Sequence, residues 1–251
     1  LYLEKFVENP RHIEIQILAD EQGNCIHLGE RDCSVQRRNQ KVLEETPSGI
    51  LKEETRKKMG ETTVKAVKEI GYTNAGTIEF LVDKNQKFYF MEMNTRVQVE
   101  HPVTEMVTGI DIIKEQIKIA NGDFLSYSQN NITFTGNSME VRINAENPEK
   151  GFMPCPGTIT ELHLPGGNGV RVDTAIYHGY KVPANYDSML AKIIVHGRDR
   201  QECISKMKSA IAELVIEGIS TNSDFILKIL ENQNFKTNQY DTSFIKKEFG
   251  L

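Results

Sequence analysis

Apolar and polar residues alternate with the two-residue period of a strand in two places. In His12–Ala19, Ile13, Ile15 and Ile17 take one face and His12, Glu14 and Gln16 the other. In Ser138–Ala145, Met139, Val141 and Ile143 oppose Glu140, Arg142 and Asn144. A third stretch, Thr77–His101, reads as strand, polar turn, strand and charged exit. Thr77–Val82 and Phe88–Met93 are β-branched and aromatic, and Asp83–Lys87 between them has turn composition, which predicts a β-hairpin. Strands are also expected at Leu1–Val7, Cys25–Leu28 and Met189–His196, with short strands around Pro154-Cys155-Pro156-Gly157 and Pro165-Gly166-Gly167-Asn168-Gly169. Helical spacing predicts a helix over Leu51–Ile70, carried by Met59, Thr63, Ala66, Val67 and Ile70 and stopped at Gly71. It predicts another over His101–Ala120, broken near Gly109, and three more at Arg200–Glu217, Ser223–Leu230 and Thr242–Phe249. The polar segment 122–136 is the expected boundary between a domain over 1–125 and a small α+β unit over 136–246.

The hairpin carries candidate chemistry. Glu79 and Glu92 are equidistant from its turn, so they are expected opposite one another on one face, and Asn94 points the same way if the strand persists. Facing carboxylates repel, and a half-buried sheet face sharpens the repulsion. A solvated polar face would tolerate it. A hard divalent cation would relieve it, and two carboxylates with an amide oxygen suit Mg²⁺ or Mn²⁺ shared with phosphates. Glu92, Asn94, Arg96, Gln98 and Glu100 continue at two-residue steps, laying acid, amide, base, amide and acid along one line if extended. Arg96 and Glu100 then lie about 13 Å apart along a strand; on a helical turn they are near neighbours instead. Upstream, the run Gly29–Lys41 carries Arg31, Arg37, Arg38 and Lys41, and reads as a loop, either solvated or built to bind phosphate or carboxylate.

Composition narrows the class. The 251 residues are 39% hydrophobic and 26% charged with net charge −5, which argues against a general nucleic-acid binder. No apolar run approaches a membrane span, and no secretory signal opens the chain. Cys25, Cys33, Cys155 and Cys203 lack metal-site spacing and are expected as reduced structural thiols of a cytoplasmic protein.

Three segments together closely resemble the biotin carboxylase family of the ATP-grasp superfamily: Glu4–His12, Glu30–Lys41 and Glu92–Pro102. Arg142–Glu146 and Tyr186–Met189 are similar to the C-terminal domain of that family. The resemblance implies an α+β fold, the C-terminal part of an ATP-grasp domain followed by a biotin carboxylase C-terminal domain. It also implies that the front of the ATP-grasp domain precedes Leu1, in keeping with an opening that lacks an initiator Met. On this resemblance Glu79, Glu92 and Asn94 would hold Mg²⁺ (or Mn²⁺) on ATP. Glu4, Lys5, Phe6, Val7, His12, Gln36, Asn39 and Leu81 would contact the nucleotide, and Lys41 its phosphate end and the bicarbonate-derived intermediate. Arg96, Gln98 and the Val99 backbone would hold bicarbonate, with Glu100 as its general base. Arg142 would stabilise the enolate of biotin, presented as substrate on a carrier. Asn39 departs from the family, many of whose members have His there, and is expected to change nucleotide contacts.

The implied activity is ATP-dependent carboxylation of biotin through carboxyphosphate, the first half-reaction of acetyl-CoA carboxylase. The implied partners are a biotin carboxyl carrier protein, carboxyltransferase subunits and a second copy of the chain, with no nucleic acid and no membrane. The same residues would serve a propionyl-CoA, methylcrotonyl-CoA or pyruvate carboxylase, or a fragment without turnover. The residue types suit the chemistry: cations and a metal meet charge on transferring phosphoryl oxygens, and a carboxylate base acts within hydrogen-bond reach of bicarbonate.

Overall fold

The alternating stretches pair into one sheet. In the computed structural model, which describes residues 1, 3 and 5–251, the first half of the chain forms β1 (Arg11–Ala19), β2 (Cys25–Arg37), β3 (Gln40–Thr46), α1 (Glu53–Glu69), β4 (Asn74–Val82), β5 (Phe88–Asn94), α2 (His101–Thr108) and α3 (Ile112–Ala120). The second half begins with β6 (Asn137–Asn144) and the short strands β7 (Glu146–Asn147), β8 (Met153–Pro154), β9 (Gly157–Thr158) and β10 (Glu161–His163). It continues with β11 (Val170–Thr174), β12 (Lys181–Val182), β13 (Met189–Gly197), α4 (Arg200–Glu213), β14 (Val215–Glu217), α5 (Ser223–Glu231), α6 (Gln233–Lys236) and α7 (Phe244–Phe249). Eight strands form a single sheet in the order β11-β13-β6-β3-β2-β1-β4-β5. Every pairing in it is antiparallel. The two halves of the chain meet inside this sheet, where β3 pairs with β6 in the register Leu43↔Val141 and Glu44↔Glu140.

The two faces of the sheet have opposite chemistry. One is apolar: Ile13, Ile15 and Ile17 pack on Met59 and Val67 of α1, and Met139, Val141 and Ile143 pack on Ile204, Met207 and Ile211 of α4 and on α5 to α7. The other carries His12, Glu14 and Gln16 of β1 and, by register, Arg31 and Glu79 on either side of Glu14. Glu44, Glu140, Arg142 and Lys192 continue the polar face across β3, β6 and β13. It is not solvated: α2 and the segment 95–100 cover it, and all nine residues of β1 are buried.

That burial explains where the sequence misleads. The run Gly29–Lys41 is not a loop; it is the second half of β2, a turn at Arg38-Asn39 and the start of β3. Its alternation is masked because β2 is covered on both sides, so polar residues line a strand interior. Arg38 and Asn39 both have positive φ, 50° and 63°, as a two-residue type I′ hairpin requires. Glu4 of the expected opening strand lies outside the described residues; Lys5–Val7 forms no strand and runs exposed or half-buried without a ladder partner among the described residues. The predicted helix over Arg200–Glu217 stops at Glu213, since Leu214 turns extended and the β-branched pair Val215-Ile216 adds to β10. In α1 the buried side is Met59, Thr63 and Val67, while Ala66 and Ile70 face solvent. The break at Gly109 is observed, with Gly109 left-handed at φ 70° closing α2 before Asp111 caps α3.

Candidate active site

Arg31 is the hub of the polar face. Its guanidinium is fully buried. Nε donates to Glu14, Nη1 to Gln16 (2.7 Å) and Thr104 (3.1 Å), and Nη2 to Gln98 (2.9 Å) and Thr77 (3.2 Å). All of its donors are thus engaged inside the protein, so Arg31 is neither the solvated nor the anion-binding loop residue that its sequence context left open. Next to it Lys41 Nζ lies among three carboxylates, at 2.6 Å from Glu14, 3.2 Å from Glu79 and 2.5 Å from Glu100. Burial alone would push these acids up, but Arg31 and Lys41 hold the Glu14 carboxyl at about 2. Against the same burial penalty, a hydrogen bond from His12 and the charge of Lys41 hold Glu79 at about 2. Both are therefore ionised acceptors at neutral pH.

Glu79 and Glu92 lie opposite one another in the β4–β5 register, next to a small irregularity between Glu79 and Phe80. Asn94 Nδ2 bridges them, at 3.0 Å from Glu79 Oε1 and 3.1 Å from Glu92 Oε1. Turning that amide over puts its oxygen at the same point, which gives three oxygen donors for one hard cation. The donor set fits Mg²⁺ or Mn²⁺.

The charged row does not continue as a strand. β5 ends at Asn94, and residues 95–100 leave the sheet before α2 begins at His101. Neither geometry left open by the sequence, extended strand or helical turn, applies to Arg96 and Glu100. Gln98 turns inward and is buried, donating to Glu79 Oε1 at 2.6 Å. The Val99 carbonyl accepts from Lys192 Nζ at 2.7 Å. Glu100 is buried at the N-cap position of α2, but its carboxylate caps nothing; it bonds Lys41 and Arg142 Nη2, the latter at 2.9 Å. Arg96 stays outside, exposed and, among the described residues, bonded only to the Val97 carbonyl at 3.3 Å. Lys41, Glu79, Gln98, Glu100 and Arg142 are thus one cluster, and Arg96 is not in it.

The residues expected to contact a nucleotide converge elsewhere. Lys5, Phe6, Val7, His12, Gln36, Asn39 and Leu81 line a single cleft of about 910 Å³. His12 connects it to the charge cluster: its Nδ1 meets Gln36 Nε2 at 2.6 Å and its Nε2 meets Glu79 at 2.7 Å. Sequence reasoning gave no role to Glu14, Glu44 or Lys192. The signal for Glu14 was its place between His12 and Gln16 on a polar strand face. Cys33, expected to be purely structural, lies in the cluster with Sγ 3.9 Å from Glu100 Oε1; burial holds the thiol well above its usual range, so it stays protonated.

Residues 1–128 match the family described as carbamoyl-phosphate synthase L chain, ATP binding domain, and residues 140–247 match the biotin carboxylase C-terminal domain. The chain belongs to the biotin carboxylase family. It is 58% identical to biotin carboxylase 1 of Bacillus subtilis over 98% of its own length and 55% of that protein. It is 52% identical to a pyruvate carboxylase subunit of Methanothermobacter thermautotrophicus, over 98% of its length and 50% of that protein. The biotin carboxylase domain of Hydrogenobacter thermophilus 2-oxoglutarate carboxylase, a dimer solved with MgADP, ADP and bicarbonate, superposes with a TM-score of 0.95 at 50% identity, covering 97% of this chain and 54% of that one. The chain thus spans about half the length of the biotin carboxylases it matches.

Proposed function

We propose that this chain supplies the reaction floor of a biotin carboxylase, which uses ATP and bicarbonate to carboxylate biotin on a carrier. The observation that carries the reading is the cluster itself: one ammonium, Lys41, among Glu14, Glu79 and Glu100, with Arg142 on Glu100 and a nucleotide-sized cleft adjoining through His12. The cleft would take adenine and ribose against Lys5, Phe6, Val7, Gln36, Asn39 and Leu81, with Glu4 as a further contact. Glu79, Glu92 and Asn94 would hold Mg²⁺ or Mn²⁺, which offsets phosphate charge when bound. Lys41 meets the transferring phosphoryl oxygens.

Gln98, the Val99 backbone and Arg96 receive bicarbonate, Arg96 by turning in from the surface. Glu100 takes the bicarbonate proton, being already within reach of the two cations that surround the site. The bicarbonate oxygen attacks the γ-phosphorus and ADP leaves, giving carboxyphosphate. This breaks down to CO₂ and phosphate; the phosphate takes the N1 proton of biotin, and the resulting enolate, held by Arg142, adds to CO₂.

The partners would be a biotin carboxyl carrier protein, carboxyltransferase subunits and a second copy, with the enzyme working in the cytoplasm as part of acetyl-CoA carboxylase. The chain is also similar to a subunit of pyruvate carboxylase, and a second reading on that basis would change the acceptor alone, because the biotin half-reaction is common to both. The test is ADP release by the full-length protein as a function of bicarbonate and free biotin. Release that depends on both is expected; release indifferent to biotin overturns the proposal.

A further inference from the structure

Beyond Arg142 the polar face contains two acids with no obvious cation to spare. Glu44 of β3 lies directly opposite Glu140 of β6, and both carboxyls are fully buried. Only one of their four oxygens is bonded among the described residues: Glu44 Oε1, which takes Arg142 Nε at 2.7 Å. Glu44 Oε2 and both oxygens of Glu140 have no partner there. Side chains directly opposite across an antiparallel pair start about 5 Å apart at Cβ, close enough for two carboxyls to meet. The charged groups facing Glu140 are Glu44 from β3, Lys192 from β13, Glu100 at the start of α2, and Arg142 on its own strand. Both cations are engaged: Arg142 with Glu44 and Glu100, Lys192 with the Val99 carbonyl at 2.7 Å and Asp173 at 3.5 Å.

We propose that Glu140 is a neutral acid that donates its proton in a hydrogen bond to Glu44 Oε2, and that this pair is the fixed anchor that positions Arg142 for biotin. The inference rests on the functional reading above. Burial, with the charge of Glu44 beside it, pushes the Glu140 carboxyl well above the usual range. One proton leaves one negative charge on the pair, which balances Arg142. Arg142 then has two different carboxylates. Glu44 is locked by its neighbour, whereas Glu100 is free to turn to bicarbonate without releasing Arg142. Glu44 and Glu140 act through Arg142 and are positioning residues.

Two readouts on the full-length protein test this. Infrared spectra at pH 8 are expected to contain the carbonyl-stretch band of a buried protonated carboxylic acid, lost in Glu140→Gln and shifted or weakened in Glu44→Gln, which removes both the acceptor of the proton and the charge that holds it on Glu140. No such band, a band that survives Glu140→Gln, or a band that Glu44→Gln leaves unmoved overturns the assignment of the proton. In the ADP-release assay, Glu44→Gln is expected to raise KM for free biotin about tenfold with KM for ATP within twofold, the loss of one charge-assisted contact. Glu140→Gln, whose amide can still donate to Glu44, stays within about twofold of wild type, whereas Glu140→Leu behaves like Glu44→Gln. Unchanged biotin KM in Glu44→Gln, or equal loss in Glu140→Gln and Glu140→Leu, overturns the positioning role. The infrared result needs no turnover. A wild-type protein with the band but no biotin-dependent ADP release would therefore sink the functional reading and spare the proton assignment.

Discussion

Replacing Arg31 by Lys keeps the charge and removes the fork, and its cost follows from the contacts of one side chain. The guanidinium serves five acceptors, on Glu14, Gln16, Thr77, Gln98 and Thr104. An ammonium has three donors and no planar fork, so at least two acceptors lose their partner. At about 1–3 kcal/mol for each buried group left unpaired, Arg31→Lys costs about 2–6 kcal/mol. That is a large part of the roughly 5–15 kcal/mol that stabilises a typical domain. Denaturant unfolding at pH 7.5 measures it directly, read as a shift in midpoint at constant slope.

The same change has a pH signature. Against burial, Arg31 and Lys41 hold Glu14 at about 2, below its ordinary 4.5. A depressed carboxylate pKa stabilises the fold at pH values above 4.5, and the contribution is lost as pH falls from there towards 2. Weakening the Arg31 contact moves the folded value up, so acid unfolding of Arg31→Lys starts at a higher pH than in wild type. A loss below about 1 kcal/mol, or an unmoved acid limb, would refute the hub role of Arg31.

Other outcomes test the rest of the site. Glu100→Gln lowers kcat for bicarbonate-dependent ATP hydrolysis by on the order of 100-fold with ATP binding kept, because the base is removed and the cleft is untouched; near-normal kcat would remove Glu100 from that role. Glu79→Gln raises the Mg²⁺ concentration for half-maximal activity at least about tenfold, from the loss of one anionic oxygen ligand, and a magnesium titration of ADP release checks it. Asn39→Val costs about 1–2 kcal/mol, since a β-branched residue is strained at φ 63°, whereas Asn39→Gly is nearly neutral. Thermal unfolding of the two variants measures the difference.

Much of the site could be read from residue order, for definable reasons. Counting outward from the Asn85/Gln86 midpoint puts Glu79 opposite Glu92, and the two do pair, but the ladder next to the turn is centred on Asn85 and it is the irregularity between Glu79 and Phe80 that brings Glu92 into place. The break at Gly109 follows from glycine alone at a left-handed position. What failed was any inference that equates polar with exposed. β2 looked like a loop because Glu30, Arg31, Asp32 and Ser34 are polar, yet all four are buried: Glu30 meets Arg56 of α1, Arg31 and Asp32 meet Glu14 and Arg11 of β1, and the Ser34 hydroxyl accepts from the His12 backbone N–H. Arg31 could have been found by sliding its strand against β1 until its charge met Glu14, but register between strands is not written in either strand alone. The row from Glu92 to Glu100 was carried too far for the same reason: alternation describes side-chain direction only while the strand lasts, and it ends at Asn94. Arg96 therefore points away from Gln98 and Glu100.

The ladder between β3 and β6 has a mechanical meaning. The family boundary falls between residues 128 and 140, but Lys41 and Arg142 ride on strands that are hydrogen-bonded to each other. Glu100 ties both together from above. No hinge can operate between Lys41 and Arg142 without tearing the sheet. The two steps proposed for the site, phosphoryl transfer and carboxylation of biotin, would share a rigid bench on which the spacing of the tools is set once, at folding, and it is the substrates that must travel.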